Sequence, residues 1–343
     1  MIRDIVPGRS REIIPDILIP YTIDRESLSN SSLLIIYVRP ETNKIDYEAQ
    51  IIKAAAPQAN VAYLANLNGA LIKNRAIIAS HYSIQLQFAV EGKRKLEKYP
   101  EMIKRFEDKF KVSFQDAPII GSHEALSKYK LKKSADELFE TMVPDEDFLE
   151  LYGQTIKRIA GYYVLNYDIP AIMTRYHEQT AMFVIAFLLK IKSYPFSEID
   201  WAIYQNMCQN KTTNPLTSKN RNGLPWYQLV RRSYHISRSH IEAMFDLTDY
   251  VFKNETDRIG FSDTPLGKNL LRHGIMKEQE LEERLIRLKK NPLVYLNQSD
   301  GSLKLVNIIS EGRTKKNAIF IENTLDECSR AIQEINWEKS LPV

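Results

Sequence analysis

Between Trp201 and Ile241 the chain carries basic side chains and no acidic ones. The first acids on either side are Asp200 and Glu242. A single charge sign over such a length indicates a surface that meets phosphate groups or another anion. We therefore predict that this segment binds nucleic acid or another polyanion. The predicted contact residues are Lys211, Lys219, Arg221, Arg231, Arg232, Arg238, Ser239 and His240.

The second half of this segment has the spacing of a helix–turn–helix motif. Ser239 with Glu242 three residues later is a capping box, which predicts that a helix begins there. In this motif the second helix enters the major groove with its N-terminus, and Arg side chains contact phosphates. The favoured function is therefore non-enzymatic nucleic-acid binding or regulation. Two alternatives account for the same basic residues: a helical hairpin with a basic face, and a scaffold that binds an acidic protein partner. The apolar positions of the motif are Val230, Tyr234, Ile236, Ile241 and Met244.

A second short motif, at residues 266–288, contains Leu266-Gly267, Leu270-Leu271 and Gly274-Ile275-Met276, followed by Leu281 and Leu285. It resembles the short helical module at the N-terminus of type II secretion and type IV pilus ATPases. Some members of that group bind cyclic di-GMP, so the resemblance implies a nucleotide-responsive regulatory protein. Pro265 stands where the module has Arg, and Leu288 where it has Gln. The two glycines alternatively serve close packing and a turn.

A third candidate is a polar face on a predicted strand, formed by His81, Ser83, Gln85 and Gln87. Such a face can hold a nucleotide, and His81 can act as a phospho-acceptor or general base. This supports a further alternative, an enzyme acting on a phosphorylated substrate between two domains. A solvated sheet face is the simpler interpretation. No glycine-rich phosphate loop precedes a helix, so the sequence gives no support to a P-loop or dinucleotide fold.

The remaining chemistry-bearing residues predict neither a metal site nor a cofactor. His235 and His240 lie five residues apart without a carboxylate or cysteine at ligand spacing. Cys208 and Cys328, the only cysteines, are too few for a disulfide framework and fit a reducing compartment. The N-terminus lacks the apolar core of a signal peptide, and the longest apolar run, Ala181 to Leu189, is too short to span a bilayer. We therefore expect a cytoplasmic protein without a membrane partner.

The elements that position these residues indicate an α+β fold. Apolar runs predict strands at residues 33–38 and 61–67, and alternation predicts another at 82–90. Helical spacing appears at 45–56 and 99–110, and a short last strand is expected at 112–114. The order β-α-β-β-α-β is the split βαβ, or ferredoxin-like, arrangement of an antiparallel sheet with two helices on one face.

We accordingly predict five segments. They are an N-terminal arm at 1–30, the α/β sandwich domain at 31–122, charged linker helices at 123–150, a helical domain at 151–290, and a β-hairpin with a terminal helix at 291–343. The centre of the helical domain is expected to be an apolar helix at 171–191. The hairpin turn is predicted at 299–302, and a capping box of Thr324 and Glu327 predicts the start of the last helix.

Overall fold

The computed structural model describes residues 14–23, 28, 31–43, 45–128, 131, 133–190, 196–209, 230, 233–309 and 324–340. Over these residues helices and strands mix along the chain, so the predicted α+β class is confirmed. None of the described helices combines the length and apolar character that crossing a membrane requires.

Eleven strands are present in the part of the chain that the structure describes. They are β1 (Asp16–Ile19), β2 (Leu33–Val38), β3 (Ala59–Asn68), β4 (Ile119–Gly121), β5 (Phe148–Leu151), β6 (Gln154–Ile159), β7 (Tyr162–Leu165), β8 (Ala181–Leu189), β9 (Tyr234–Ile236), β10 (Leu293–Asn297) and β11 (Leu303–Asn307). The α-helices are α1 (Ile45–Ala55), α2 (Gly69–Asn74), α3 (Ile77–His81), α4 (Ser83–Glu91), α5 (Lys93–Leu96), α6 (Pro100–Phe110), α7 (Ser122–Ser127), α8 (Ala135–Glu140), α9 (Ile169–Arg175), α10 (Phe196–Gln209), α11 (His240–Tyr250), α12 (Pro265–Arg272), α13 (Glu278–Lys290), α14 (Leu325–Gln333) and α15 (Trp337–Ser340).

The central sheet has five strands in the order β1-β3-β8-β2-β9, and each neighbouring pair is antiparallel. Helix α1 joins β2 to β3, and β8 lies between these two strands. Both faces of the sheet are covered. On one face Ile185 of β8 packs in a buried cluster with Ile51 of α1 and Ile203 of α10. On the other face Tyr37 of β2 shares a cluster with Leu247 of α11.

Several predicted elements differ from the structure. The alternating segment 82–90 is helix α4 rather than a strand, because Ile84 and Phe88, four residues apart, enter one core cluster. No strand forms at 112–114. The predicted helix at 171–191 is wrong in its second half, which is β8. A strand with helices on both faces is apolar throughout, so its sequence lacks the polar alternation of an exposed sheet.

Residues 69–180 form an insertion between β3 and β8. Its four-stranded sheet has the order β4-β7-β6-β5, with β4 parallel to β7 and the remaining pairs antiparallel. Residues 151–165, which belong to the segment predicted to be helical, therefore form strands and turns instead. Two tight turns join these strands, Tyr152-Gly153 and Ala160-Gly161, and all four turn residues have positive φ. Two successive positive φ angles match the twist of a two-residue hairpin.

The chain after β9 packs around α11. Helices α11, α12, α13 and α14 share one apolar cluster with the hairpin β10-β11. The predicted hairpin is confirmed, and Thr324 and Glu327 form the predicted capping box.

Candidate functional site

The structure describes three of the eight predicted polyanion contacts. Arg238 is exposed, whereas Ser239 and His240 are only 5% and 8% exposed. The Ser239 hydroxyl accepts a hydrogen bond from the Glu242 N–H at 3.1 Å and so caps α11. The other five predicted contacts, Lys211, Lys219, Arg221, Arg231 and Arg232, lie outside the described residues.

The predicted helix–turn–helix geometry is not formed at 234–236. These residues are strand β9, and His235 pairs with Tyr37 of β2. Tyr234 and Ile236 pack against one face of the central sheet, while the His235 ring stacks on the opposite one with Tyr37. Such alternation is the period of a strand. The prediction was correct only for the helix that follows, since α11 begins directly after Ser239.

His240, a predicted nucleic-acid contact, lies in an apolar environment. Its ring meets Phe196 edge-on, with the ring centroids 4.9 Å apart. Burial lowers the pKa of His240 to about 4, so this imidazole is neutral at pH 7. The side chain is therefore part of the packing between α10 and α11 rather than a surface contact.

The predicted polar sheet face is also corrected. His81 ends α3, whereas Ser83, Gln85 and Gln87 lie on α4 and therefore line no strand. The Gln87 side chain accepts a hydrogen bond from Lys95 Nζ at 2.6 Å and donates one to the carbonyl of Lys290. Of the four predicted residues, His81 alone joins the centre described next.

The segment 266–288 forms helices α12 and α13, as its spacing indicates. A Cβ on Gly267 would lie 1.9 Å from the carbonyl oxygen of Phe261. Gly274 has a φ of +64° and follows the end of α12. Both glycines thus have a structural explanation, close backbone packing for the first and a turn for the second.

Two imidazoles and one carboxylate meet above the central sheet, on its α3 and α11 face. His81 comes from the end of α3, His235 from β9 and Asp246 from the middle of α11. His81 Nδ1 lies 3.1 Å from Asp246 Oδ1, and His235 Nε2 lies 3.0 Å from Asp246 Oδ2. We call these three residues the His–Asp–His centre. They are the one group of at least three possible metal ligands found among the described residues.

The centre lies at the edge of solvent. The side chains of His81 and His235 are 11% and 9% exposed, whereas that of Asp246 is 1% exposed. A buried carboxylate beneath two partly exposed imidazoles can orient both rings and stabilise positive charge on them. The imidazoles therefore lie between the solvent and the buried carboxylate.

The electrostatics of the centre favour an ionised Asp246 and a neutral His235. Burial on its own would raise the pKa of Asp246, but His235 and His81 outweigh it and hold that pKa well below its usual range. Burial lowers the pKa of His235, and the attraction of Asp246 only partly opposes this shift. At neutral pH the geometry therefore presents one carboxylate anion to uncharged His235.

Tyrosines surround the two imidazoles. The Tyr37 ring stacks on His235, and the Tyr82 ring meets His81 edge-on at a centroid distance of 4.6 Å. The hydroxyls of Tyr37 and Tyr82 lie 3.3 Å apart. Tyr250 is fully buried, and its hydroxyl has no hydrogen-bond partner among the described residues. These rings fix the imidazole planes and limit the access of water to the carboxylate.

Charged residues at the ends of β2 and β9 flank the centre. Arg39 follows β2 and Arg238 follows β9. Burial raises the pKa of Tyr82, and the positive charge of Arg39 opposes that shift. Arg238 is one of the groups that lower the pKa of His235, after burial. Two positive charges therefore lie on the periphery of a centre that itself contains the Asp246 carboxylate, and they attract anionic groups to its rim.

Sequence reasoning identified only His81 of this centre. His235 was considered with His240, whereas the structure pairs it with Asp246, eleven residues along the chain. The available signal was the strand period at 234–236, which places His235 beside Tyr37. No protein-family model matches this chain, and neither a curated protein nor a solved structure is similar to it at a significant level.

Proposed function

We propose that the protein is an enzyme that acts on a phosphorylated substrate at the His–Asp–His centre. The observation that carries this proposal is that two partly exposed imidazoles share one buried carboxylate, Asp246. Histidine pairs of this kind supply the proton transfers of phosphoryl chemistry, and the carboxylate keeps both rings oriented. Arg39 and Arg238 favour substrates that carry negative charge.

A panel of chromogenic phosphate esters tests this proposal. The full chain should hydrolyse p-nitrophenyl phosphate or bis-p-nitrophenyl phosphate, assayed with and without added Zn²⁺ and Mn²⁺. Replacing His235 or His81 by Gln should reduce kcat/KM about 100-fold or more, the usual contribution of an acid–base group. His177→Gln, an exposed histidine, is the matched control and should leave the rate unchanged. Equal rates in all three variants would contradict the proposal.

A second candidate function is nucleic-acid binding, and one observation favours it. Trp201 is 53% exposed on α10, and its ring stacks on Tyr204 with centroids 5.4 Å apart. The acid-free sequence that contains Lys211, Lys219 and Arg221 follows this helix. Aromatic side chains beside basic ones can stack on bases while the cations contact phosphates.

The salt dependence of binding tests this second candidate. Replacing Arg231, Arg232 and Arg238 by Ala should flatten the slope of log affinity against log salt by about 2 to 3 units, because each contact releases a counterion. Trp201→Ala should weaken binding to single strands without changing the slope. The matched control replaces three exposed lysines near α6, Lys104, Lys109 and Lys111. A control that flattens the slope as much would assign the binding to general surface charge.

We also propose that the central sheet is a ferredoxin-like unit interrupted by the insertion at 69–180. The strand order β9-β2-β8-β3 supports this interpretation, since β8 separates two strands joined by a helix. Helices α1 and α10 contribute to the same apolar cluster on one face of the sheet. The predicted β-α-β-β-α-β order would then be correct, with β8 and β9 as its third and fourth strands in place of residues 82–90 and 112–114. Interstrand NOEs between β2 and β8 and between β8 and β3 would test the order.

A further inference from the structure

We infer that the His–Asp–His centre binds one divalent transition-metal ion through His81 Nδ1, His235 Nε2 and the Asp246 carboxylate. This inference rests on the catalytic centre proposed above and adds the group that would activate water there. Two imidazoles and one carboxylate are the donor set of many catalytic zinc and non-haem iron sites, in which further positions stay open for water or substrate.

The separations of the donor atoms fit a shared cation. The three ligand atoms all lie within 4.8 Å of one another, and the two nitrogen–oxygen distances are 3.1 and 3.0 Å. Donors placed about 2.0–2.1 Å from a tetrahedral metal are about 3.3 Å apart. The two nitrogen–oxygen distances are close to this value, and the wider separation within the group, up to 4.8 Å, would have to contract when an ion binds.

An unsatisfied carboxylate oxygen is the second, independent observation. Asp246 Oδ1 is buried and has no hydrogen-bond partner among the described residues. His81 Nδ1 lies 3.1 Å from this oxygen. A buried anionic oxygen without a donor is costly. A cation between Oδ1 and Nδ1 would remove this cost when His81 carries its proton on Nε2, because Nδ1 then has a free lone pair.

The residues behind the ligands hold them in place. The Ser237 hydroxyl lies 2.7 Å from Asp246 Oδ2 and accepts a hydrogen bond from the Ile35 N–H. Tyr37 stacks on the His235 ring. Metal ligands generally have such outer partners, which fix their orientation and raise their affinity. The Glu242 carboxylate lies 3.9 Å from His235 Nε2 and adds negative charge close to the ion.

The donor set also limits the choice of metal. Imidazole nitrogen suits Zn²⁺, Fe²⁺, Cu²⁺ or Ni²⁺, whereas Mg²⁺, Ca²⁺ and Mn²⁺ prefer oxygen ligands. Three protein donors leave a position for water, which a bound Zn²⁺ ion acidifies to a pKa near 7. In the proposed ester hydrolysis this water would lose a proton to solvent and attack phosphorus, the ester P–O bond would break, and the released alkoxide would take up a proton and leave as the alcohol. Arg39 and Arg238 would favour the negative charge of the phosphate.

Metal titration of the untagged full chain tests the inference. Protein stripped with a chelator should bind one equivalent of Zn²⁺ by calorimetry, and its melting temperature should rise with Zn²⁺ concentration. His81→Gln and Asp246→Asn should each lower the affinity at least 100-fold. His177→Gln is the control and should bind like the unaltered chain. Circular dichroism must first show that each variant is folded.

X-ray absorption on the unaltered protein loaded with Zn²⁺ keeps the test independent of variant folding. We expect two imidazole nitrogens and oxygen donors at the metal. A sulfur ligand, or no binding at millimolar Zn²⁺, would overturn the inference. If protein treated with a chelator still hydrolysed esters, the metal inference would be wrong, whereas the proposed enzymatic function would still stand. If the protein bound one equivalent of Zn²⁺ but hydrolysed none of the esters, the metal inference would be supported and the proposed enzymatic function would be wrong.

Discussion

His235 lies face to face with Tyr37, with ring centroids 4.6 Å apart and planes inclined by 18°. The two residues are also direct partners in the register of β9 and β2. The sheet itself therefore sets the plane of one imidazole of the centre.

This relationship predicts different effects for two substitutions of Tyr37. Tyr37→Phe keeps the stack and loses only the hydroxyl contact with Tyr82, so we expect a loss of about 1 kcal/mol in unfolding free energy. Tyr37→Leu also removes the ring contact, which should cost about 1 kcal/mol more. Zn²⁺ affinity should fall about 10-fold in the Leu variant alone, because that variant loses the ring that orients the proposed ligand His235. Urea unfolding and calorimetry measure both effects, and equal behaviour of the two variants would show that the stack is unimportant.

His240 predicts a loss of stability in acid. Burial lowers the pKa of its imidazole to about 4, from an ordinary value of 6.5. Below pH 6.5 the unfolded chain therefore takes up a proton that the folded protein does not accept until pH 4. Stability contributed by neutral His240 is present above pH 6.5 and is lost as the pH falls towards 4, by about 3 kcal/mol.

The measurement is urea unfolding of the unaltered chain and of His240→Gln between pH 7 and pH 4. The difference between the two proteins should change by about 3 kcal/mol over this interval. His177→Gln removes an exposed imidazole and is the matched control. A pH-independent difference for His240→Gln would mean that the pKa of this ring is the same in the folded and unfolded states.

A buried ion pair between α11 and α13 gives a third prediction. Lys289 Nζ lies 2.5 Å from Asp249 Oδ1, and Arg258 Nη1 lies 3.6 Å from the same oxygen. Lys289→Met should destabilise the protein by about 3–5 kcal/mol, because it leaves a buried carboxylate with one distant partner. Adding Asp249→Asn should restore most of the loss. Arg287→Met breaks an exposed pair with Glu283 on the same helix and should cost less than about 1 kcal/mol.

Gly121 predicts a packing conflict. A Cβ at this position would lie 2.1 Å from the carbonyl oxygen of Ala89, at the junction of α4 and β4. Gly121→Ala should destabilise the protein by about 3 kcal/mol, since backbone atoms must move. Gly161→Ala is the control. It has a φ of +83° and open space around it, so only the left-handed backbone costs energy, about 1–2 kcal/mol. Similar melting temperatures for the two variants would contradict the predicted contact.

The sequence predicted elements well where one pattern had one interpretation. Strand β2, helix α1, helix α6 and the cap of α11 by Ser239 are found where local residues placed them. The strand predicted at 82–90 was wrong because the apolar residues of this segment alternate, as in a strand, while Ile84 and Phe88 also have helical spacing. The helix predicted over 181–189 was wrong because a continuous apolar run is compatible with either a buried helix or a buried strand.

The His–Asp–His centre was not predictable from local pattern. His81, His235 and Asp246 come from two helices and a strand, and His81 is separated from His235 by much of the chain. Only the pairing of β2 with β9 and the packing of α3 against α11 bring these residues together. Asp246 was also hard to identify because a carboxylate in the middle of an amphipathic helix is usually assigned to the solvent side.

The position of β8 between β2 and β3 has a consequence for synthesis on the ribosome. Both earlier strands leave the exit tunnel well before residues 181–189 exist, and in the native sheet they do not pair with each other. At usual translation rates the intervening residues take on the order of ten seconds to make. During that time the backbone N–H and C=O groups on both edges of the apolar segment Leu33–Val38 are unpaired, and such edges promote aggregation. Nascent chains of this protein should therefore depend on chaperones that hold them unfolded until β8 emerges and pairs with β2 and β3.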